Sequence, residues 1–172
     1  MGNVIIRENK GRQFGRSMLW YWISYFAVTL IGFAHTFFNV LVLHMGSMAQ
    51  GPGLGEGYEA TKPWHPLYNI IIFTVFGLVF MKGLVQPTFR KALTTGILWS
   101  VISIVFDLVG WVLIPHPLQL TFKQFYVEYQ PWITLVYLAM IAGPVLGYMI
   151  LKITGKGVKK SPECKSDKAL AG

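Results

Sequence analysis

Charged side chains are scarce in this chain of 172 residues, at 13% of the total against roughly 25% in an ordinary soluble domain. That scarcity excludes a disordered polyelectrolyte and a soluble domain with a solvated face. Cysteine is scarcer still. Cys164 stands alone in a polar tail, so neither an internal disulfide nor a thiolate metal cluster can form. No Gly-x-Ser-x-Gly, no His-x-x-x-His and no Cys/His arrangement suited to nucleophilic catalysis occurs. The start, Met1-Gly2-Asn3-Val4-Ile5-Ile6, lacks the Ser or Thr that N-myristoylation expects, because Ile6 stands in its place.

Apolar residues fill the gap, at 53%, and the mean hydropathy is +0.49. No charged residue occurs between Arg16 and Glu56, from Pro63 to Met81, or from Tyr129 to Leu151. A hydrocarbon core of roughly 30 Å needs about 20 helical residues. Four segments satisfy that length, at about 18–45, 67–85, 92–114 and 132–151. The expected fold is therefore an all-α integral membrane protein, a bundle of four transmembrane helices forming a single membrane domain. Ser47-Met48-Ala49 resembles a signal-peptidase site, but the first apolar stretch far exceeds a signal h-region and is expected to stay as an anchor.

The net charge of +8 is explained by topology rather than by nucleic acid, which is not an expected partner. Basic residues gather in the N-terminal segment (Arg7, Lys10, Arg12, Arg16), at Arg90-Lys91, and in the tail from Lys152 onward. Those three groups are the positive-inside pattern, with Lys62 and Lys123 outside and Lys82 snorkelling at the inner boundary. Both termini are expected in the cytoplasm, and a bacterial plasma membrane is the expected location. Trp20, Tyr21 and Trp22 mark the inner interface; Trp64, Tyr68, Trp111 and Trp132 mark the outer one.

The loops differ in kind. Residues 46–62 carry Gly51, Gly53, Gly55 and Gly57 at every second position and read as a flexible connector, without the Lys-Ser/Thr of a phosphate loop. Residues 115–130 carry Leu118, Leu120, Phe122, Phe125, Tyr126 and Tyr129, and read as an interfacial segment before the fourth helix. A lid over an outward-facing cavity is the sharper version of that reading. Pro-Trp opens both the second and the fourth span, and His-Pro-Leu occurs twice, at 65–67 and 116–118; interfacial preference accounts for these without a duplication.

Polar residues within the spans carry the functional expectation. Asp107 lies roughly 24 Å along the third helix from Lys91 at 1.5 Å per residue. A carboxylate at that depth must be neutralised, paired or placed in a wet cavity. Gly96, Ser100, Ser103, Asp107 and Gly110 form one small, polar stripe that should face the bundle interior. In the first span Gly32, His35, Thr36 and Asn39 share a face, with His35 roughly 25 Å from the inner end by the same rise. A His35–Asp107 contact with Asn39 nearby is the sequence's sharpest hypothesis; a structural carboxyl tied to neighbouring helices is its plain alternative.

The candidate ligand-binding set is thus Asp107, His35, Asn39 and Trp111. No resident cofactor is expected: His35 is the only deep histidine, and His44 lies about 180° around the helix from it. No metal site is expected either. His44, His65 and His116, with Glu56, Glu59 and Glu128, are scattered at the outer edge without tight ligand spacing. In the fourth span Ala139, Gly143 and Gly147 make a small-xxx-small stripe for close helix contact, against another span, a second copy or a partner subunit. Pro144 beside it removes one backbone hydrogen bond and is expected to kink the helix.

Three functions follow, in order. The first is a small protein that binds or transports a small molecule or ion through an outward-facing polar cavity. The second is an accessory subunit of a larger membrane complex. The third is a membrane enzyme acting on a lipid or quinone, weakened by the few ionisable groups within the spans.

Overall fold

The protein is represented by a computed structural model that describes residues 9–47, 55–116 and 119–155. The N-terminal start, part of the peptidase-like site, Gly51, Gly53, Leu118, Cys164 and most of the basic tail lie outside the described residues. Helix α1 spans Lys10–Leu41, α2 Gly55–Thr61, α3 His65–Lys82, α4 Phe89–Asp107 and α5 Trp132–Ile153. A 3-10 turn, Lys62–Trp64, joins α2 to α3, and a π-helical stretch, Leu108–Leu113, continues α4. No strand occurs among the described residues. Four helical stretches are long and apolar enough to cross a membrane: Lys10–Leu41, Gly55–Lys82, Phe89–Leu113 and Trp132–Ile153. The chain is an all-α, four-helix membrane protein.

Helix boundaries follow local chemistry. The first helix begins well before the expected residue 18 because Asn9 caps it, its Oδ1 accepting from Gly11 N at 2.9 Å. The basic residues Lys10, Arg12 and Arg16 are therefore helical turns projecting beyond the apolar stretch. The helix ends at Leu41 instead of reaching 45, and His44 then takes a positive φ of 54°. Thr88 caps α4 by accepting from Lys91 N at 3.2 Å. At the opposite end of α3, Arg16 donates to the Phe80 carbonyl at 2.8 Å and lies over the Phe80 ring. A Cβ at Gly83 would collide with that guanidinium.

The 46–62 connector is corrected in its second half. Residues 55–61 are helical and pack on α1, because Gly57 lets the backbones meet: a Cβ there would come within 2.6 Å of Val40 Cγ2. Asn39 Nδ2 donates to the Gly57 carbonyl and to Thr61 Oγ1, both at 3.0 Å, and these bonds fix the short helix in place.

The bundle is apolar outside and small or polar inside, as a bilayer solvent requires. Leu30, Phe37, Leu41 and Ile153 are each more than 60% exposed, whereas Ser24 and Ser103 are wholly buried. Helices α3 and α5 make the closest pair. A Cβ on Gly143 would sit 2.6 Å from Phe73 Cβ, one on Gly147 2.5 Å from Leu78 N, and one on Gly77 2.7 Å from Pro144 Cα. The stripe of the fourth span, Ala139, Gly143 and Gly147, is buried within this chain, and α5 stays helical through Pro144. On its other side α5 meets α4, where Gly96 lies against the Ile141 backbone.

Candidate functional site

Helices α1 and α4 run in the same direction and are joined by three rungs at one constant separation along the chain. Trp99 Nε1 donates to Ser17 Oγ at 3.0 Å, Tyr21 Oη meets Ser103 Oγ at 3.0 Å, and Tyr25 Oη donates to Asp107 Oδ1 at 2.9 Å. Each pair is 82 residues apart. Positions four apart on a helix share a face, so Ser17, Tyr21 and Tyr25 climb α1 in register with Trp99, Ser103 and Asp107 on α4. The long aromatic side chains bridge the gap and satisfy groups that lipid would leave unpaired.

The last rung opens the site. Asp107 is 7% exposed, and its second oxygen, Oδ2, accepts from Tyr137 Oη of α5 at 2.9 Å. Two phenols from two helices thus hold the carboxylate. Beyond it α4 relaxes into the π-helical stretch, whose loosened carbonyls are taken up by the following segment. His116 Nε2 donates to Gly110 O at 2.9 Å, Leu120 N to Trp111 O at 2.9 Å, and Gln119 Nε2 to Val112 O at 2.8 Å. The segment folds back over the bundle end, burying Leu120 and Phe125 among Tyr58, Trp111, Tyr129 and Ile133.

Beneath this segment lies a cavity of about 160 Å³. Its walls are the C-terminal half of α1, the α2–α3 junction, the end of α4 and the start of α5. Asp107, Asn69, His65 and Lys62 supply its polar character, and rings such as Tyr25 and Trp111 supply much of the rest. Lys62 is 9% exposed; it pairs with Glu59 and places its ammonium 3.8 Å from the centre of the Tyr129 ring. Burial, reinforced by Glu59 and Glu128, pushes the Tyr129 phenol up to about 12.

The four residues singled out from the sequence separate here. Asp107 and Trp111 line the cavity; His35 and Asn39 do not. The His35–Asp107 contact is not formed. His35 Nδ1 meets Tyr68 Oη at 2.6 Å, and Asp107 takes its two tyrosines instead. Similar depth along two helices does not bring side chains together when they point to different neighbours, and His35 sits on the shoulder of α1 facing α3. Asn39 is occupied with α2. Conversely, Tyr25, Tyr137, Lys62, His65 and Asn69 were not singled out for this site. One signal was present: Ser-Tyr-Tyr at 17, 21 and 25 and Trp-Ser-Asp at 99, 103 and 107 have the same four-residue spacing.

No family model matches the chain. A curated protein that it resembles is named "Putative manganese efflux pump MntP", from Pectobacterium atrosepticum. The two are 29% identical over 89 residues, which is 51% of this chain and 41% of the relative. The chain thus spans about two fifths of that relative's length. No solved structure matches.

Proposed function

We propose that this chain is a small multi-pass transporter of the plasma membrane, with both termini in the cytoplasm and its cavity opening to the outer side. The observation that carries the reading is a buried carboxylate, Asp107, lining a partly open cavity at the end of the bundle. A charged group within a span is costly, and its usual setting is a solute or ion pathway. Support comes from the partial likeness to a protein named as an efflux pump. The sidedness rests on the basic residues, which gather at the end of the bundle opposite the cavity. Asp107 and Trp111 contact the solute in this reading, while His35 and Asn39 position helices.

Manganese, the cargo in the relative's name, is a hard cation that favours several oxygen ligands in octahedral geometry. Among the described residues no three His, Cys, Asp or Glu side chains converge. The cavity's single carboxylate therefore gives no separate support for that ion, and the proposal is kept to a small solute.

The test is native mass spectrometry of tagged protein extracted in mild detergent. A stoichiometric small molecule, released on Asp107→Asn with the fold intact, is the expected result. A stoichiometric protein partner, with nothing in the cavity and no effect of Asp107→Asn, would overturn it and restore the accessory-subunit reading.

A further inference from the structure

We infer that the cavity binds a small organic ammonium ion, a protonated primary amine, between Asp107 and Asn69. The inference rests on the reading of the cavity as a solute site and names the class of solute.

Charge comes first. Besides the phenols of Tyr25, Tyr58 and Tyr129, the ionisable groups lining the cavity are Asp107, Lys62 and His65. Lys62 is committed to Glu59 and to the face of Tyr129. The partners of Asp107 are two neutral phenols, and neither ion pair among the described residues involves it. A buried carboxylate without a counter-ion is strongly unfavourable, and a bound cation removes that penalty. Each carboxylate oxygen accepts one phenol and keeps a further lone pair, since the group offers about four acceptor positions. The carboxylate can therefore receive an ammonium N–H without giving up either tyrosine.

Asn69 supplies the second, independent observation. It is 2% exposed, lines the same cavity, and its Oδ1 has no hydrogen-bond partner. The orientation of the amide is fixed, because Nδ2 donates to the His65 carbonyl at 2.8 Å and an oxygen there would face another oxygen. A buried acceptor left open is unfavourable, and what it lacks is a donor. Carboxylate and carboxamide oxygen together call for a ligand that is positive and carries N–H groups.

The walls agree. Tyr25, Phe33, Tyr58, Trp111 and Trp132 surround the space, and aromatic faces attract ammonium ions once water is excluded. The volume of about 160 Å³ is close to the roughly 150 Å³ of an engineered cavity that holds benzene. A metal ion would leave most of that space empty and most of its coordination sites unfilled.

The experiment titrates detergent-purified protein at neutral pH with four probes, followed by calorimetry and by tryptophan fluorescence, since Trp111 and Trp132 line the space. The probes are n-butylammonium, its neutral isostere n-butanol, tetramethylammonium and Mn²⁺. The expected order places n-butylammonium first, with n-butanol roughly tenfold or more weaker, as loss of a charged hydrogen bond implies. Tetramethylammonium, which has no N–H for Asn69, falls between them. Asp107→Asn abolishes the preference for the amine over the alcohol, and Asn69→Leu narrows the gap between the primary and quaternary ions. Binding of n-butanol or Mn²⁺ as tight as that of n-butylammonium would overturn the inference and leave the solute site standing. Failure of all four probes to bind would overturn both. The wild-type ranking decides the matter even if a variant does not fold.

Discussion

Adding one methyl group at Gly143 tests how the bundle is held together. The ideal Cβ at that position lies 2.6 Å from Phe73 Cβ, 2.7 Å from Phe73 C and 3.0 Å from Phe73 O. Two of those three atoms are backbone, so no rotamer change relieves the clash. Ordinary contact begins near 3.4 Å, and α5 must therefore move away from α3 by most of an ångström. Gly77 against Pro144 and Gly147 against Leu78 lie on the same seam and would be pulled apart with it. Overpacking of this kind costs about 1–3 kcal/mol. At Gly15, also helical, a Cβ meets nothing within 4 Å. There the substitution removes only glycine's backbone freedom and should stabilise by about 0.5–1 kcal/mol. Both sites are helical, so that gain is common to the two variants, and the paired comparison, Gly143→Ala against Gly15→Ala, predicts a gap of about 1–3 kcal/mol from overpacking alone. Thermal unfolding in one detergent, followed by tryptophan fluorescence with Trp99 at the centre of the core, reads it directly. Equal stability of the two variants would show that α3 and α5 do not approach as closely as these distances require.

Two further predictions concern the site. Tyr25→Phe and Tyr137→Phe each strip one donor from the buried Asp107 carboxylate and should each lower unfolding stability by about 1–3 kcal/mol. The double variant should lose more than the two single losses combined, because the last phenol is then gone; simple additivity in thermal melts would argue against a shared carboxylate. Tyr129 supplies a pH dependence. Its folded-state value, about 12, lies above the ordinary 10.0, so its contribution is complete below pH 10 and is lost as pH rises toward 12. Tyr129→Phe should flatten that part of the alkaline stability curve and leave stability between pH 6 and 9 unchanged in slope; an identical alkaline limb in both proteins would refute the burial of this phenol.

The four spans could be read from the sequence because charge-free runs of sufficient length have few alternatives in water or lipid. Their ends could not. Asn9 looks like any polar residue until its Oδ1 is seen on Gly11 N, and the helical turns it starts lie in a basic segment with no apolar period. The glycines of the first outer loop suggested freedom, yet Gly57 is where α1 and α2 touch. Glycine permits both mobility and close approach, and sequence spacing does not distinguish them. The site was half legible for a related reason. Asp107 is conspicuous because carboxylates are rare in spans, whereas its partners are tyrosines, which an interfacial or core role explains equally well. Depth alone nominated His35, and depth carries no information about the direction around the helix axis.

What the carboxylate adds to this bundle follows from what an amide would do in its place. An Asn side chain at 107 is nearly isosteric with Asp, can accept from one phenol and can donate to the oxygen of the other. It would therefore tie α4 to α1 and α5 through the same two tyrosines without placing a charge in a span, where a charge costs at least about 2.5–3.5 kcal/mol. A purely structural role thus favours the amide. On the proposed reading the charge serves a positive ligand: Lys62 is engaged with Tyr129 and Glu59, while the Asn69 oxygen, on a residue lining the same cavity, has no donor of its own. On this reasoning Asp107→Asn should leave the unfolding stability of the empty protein equal to or above that of the wild type, while abolishing the preference for a cationic ligand. Stability and selectivity would then move in opposite directions on one substitution, a pattern that a structural carboxyl does not produce.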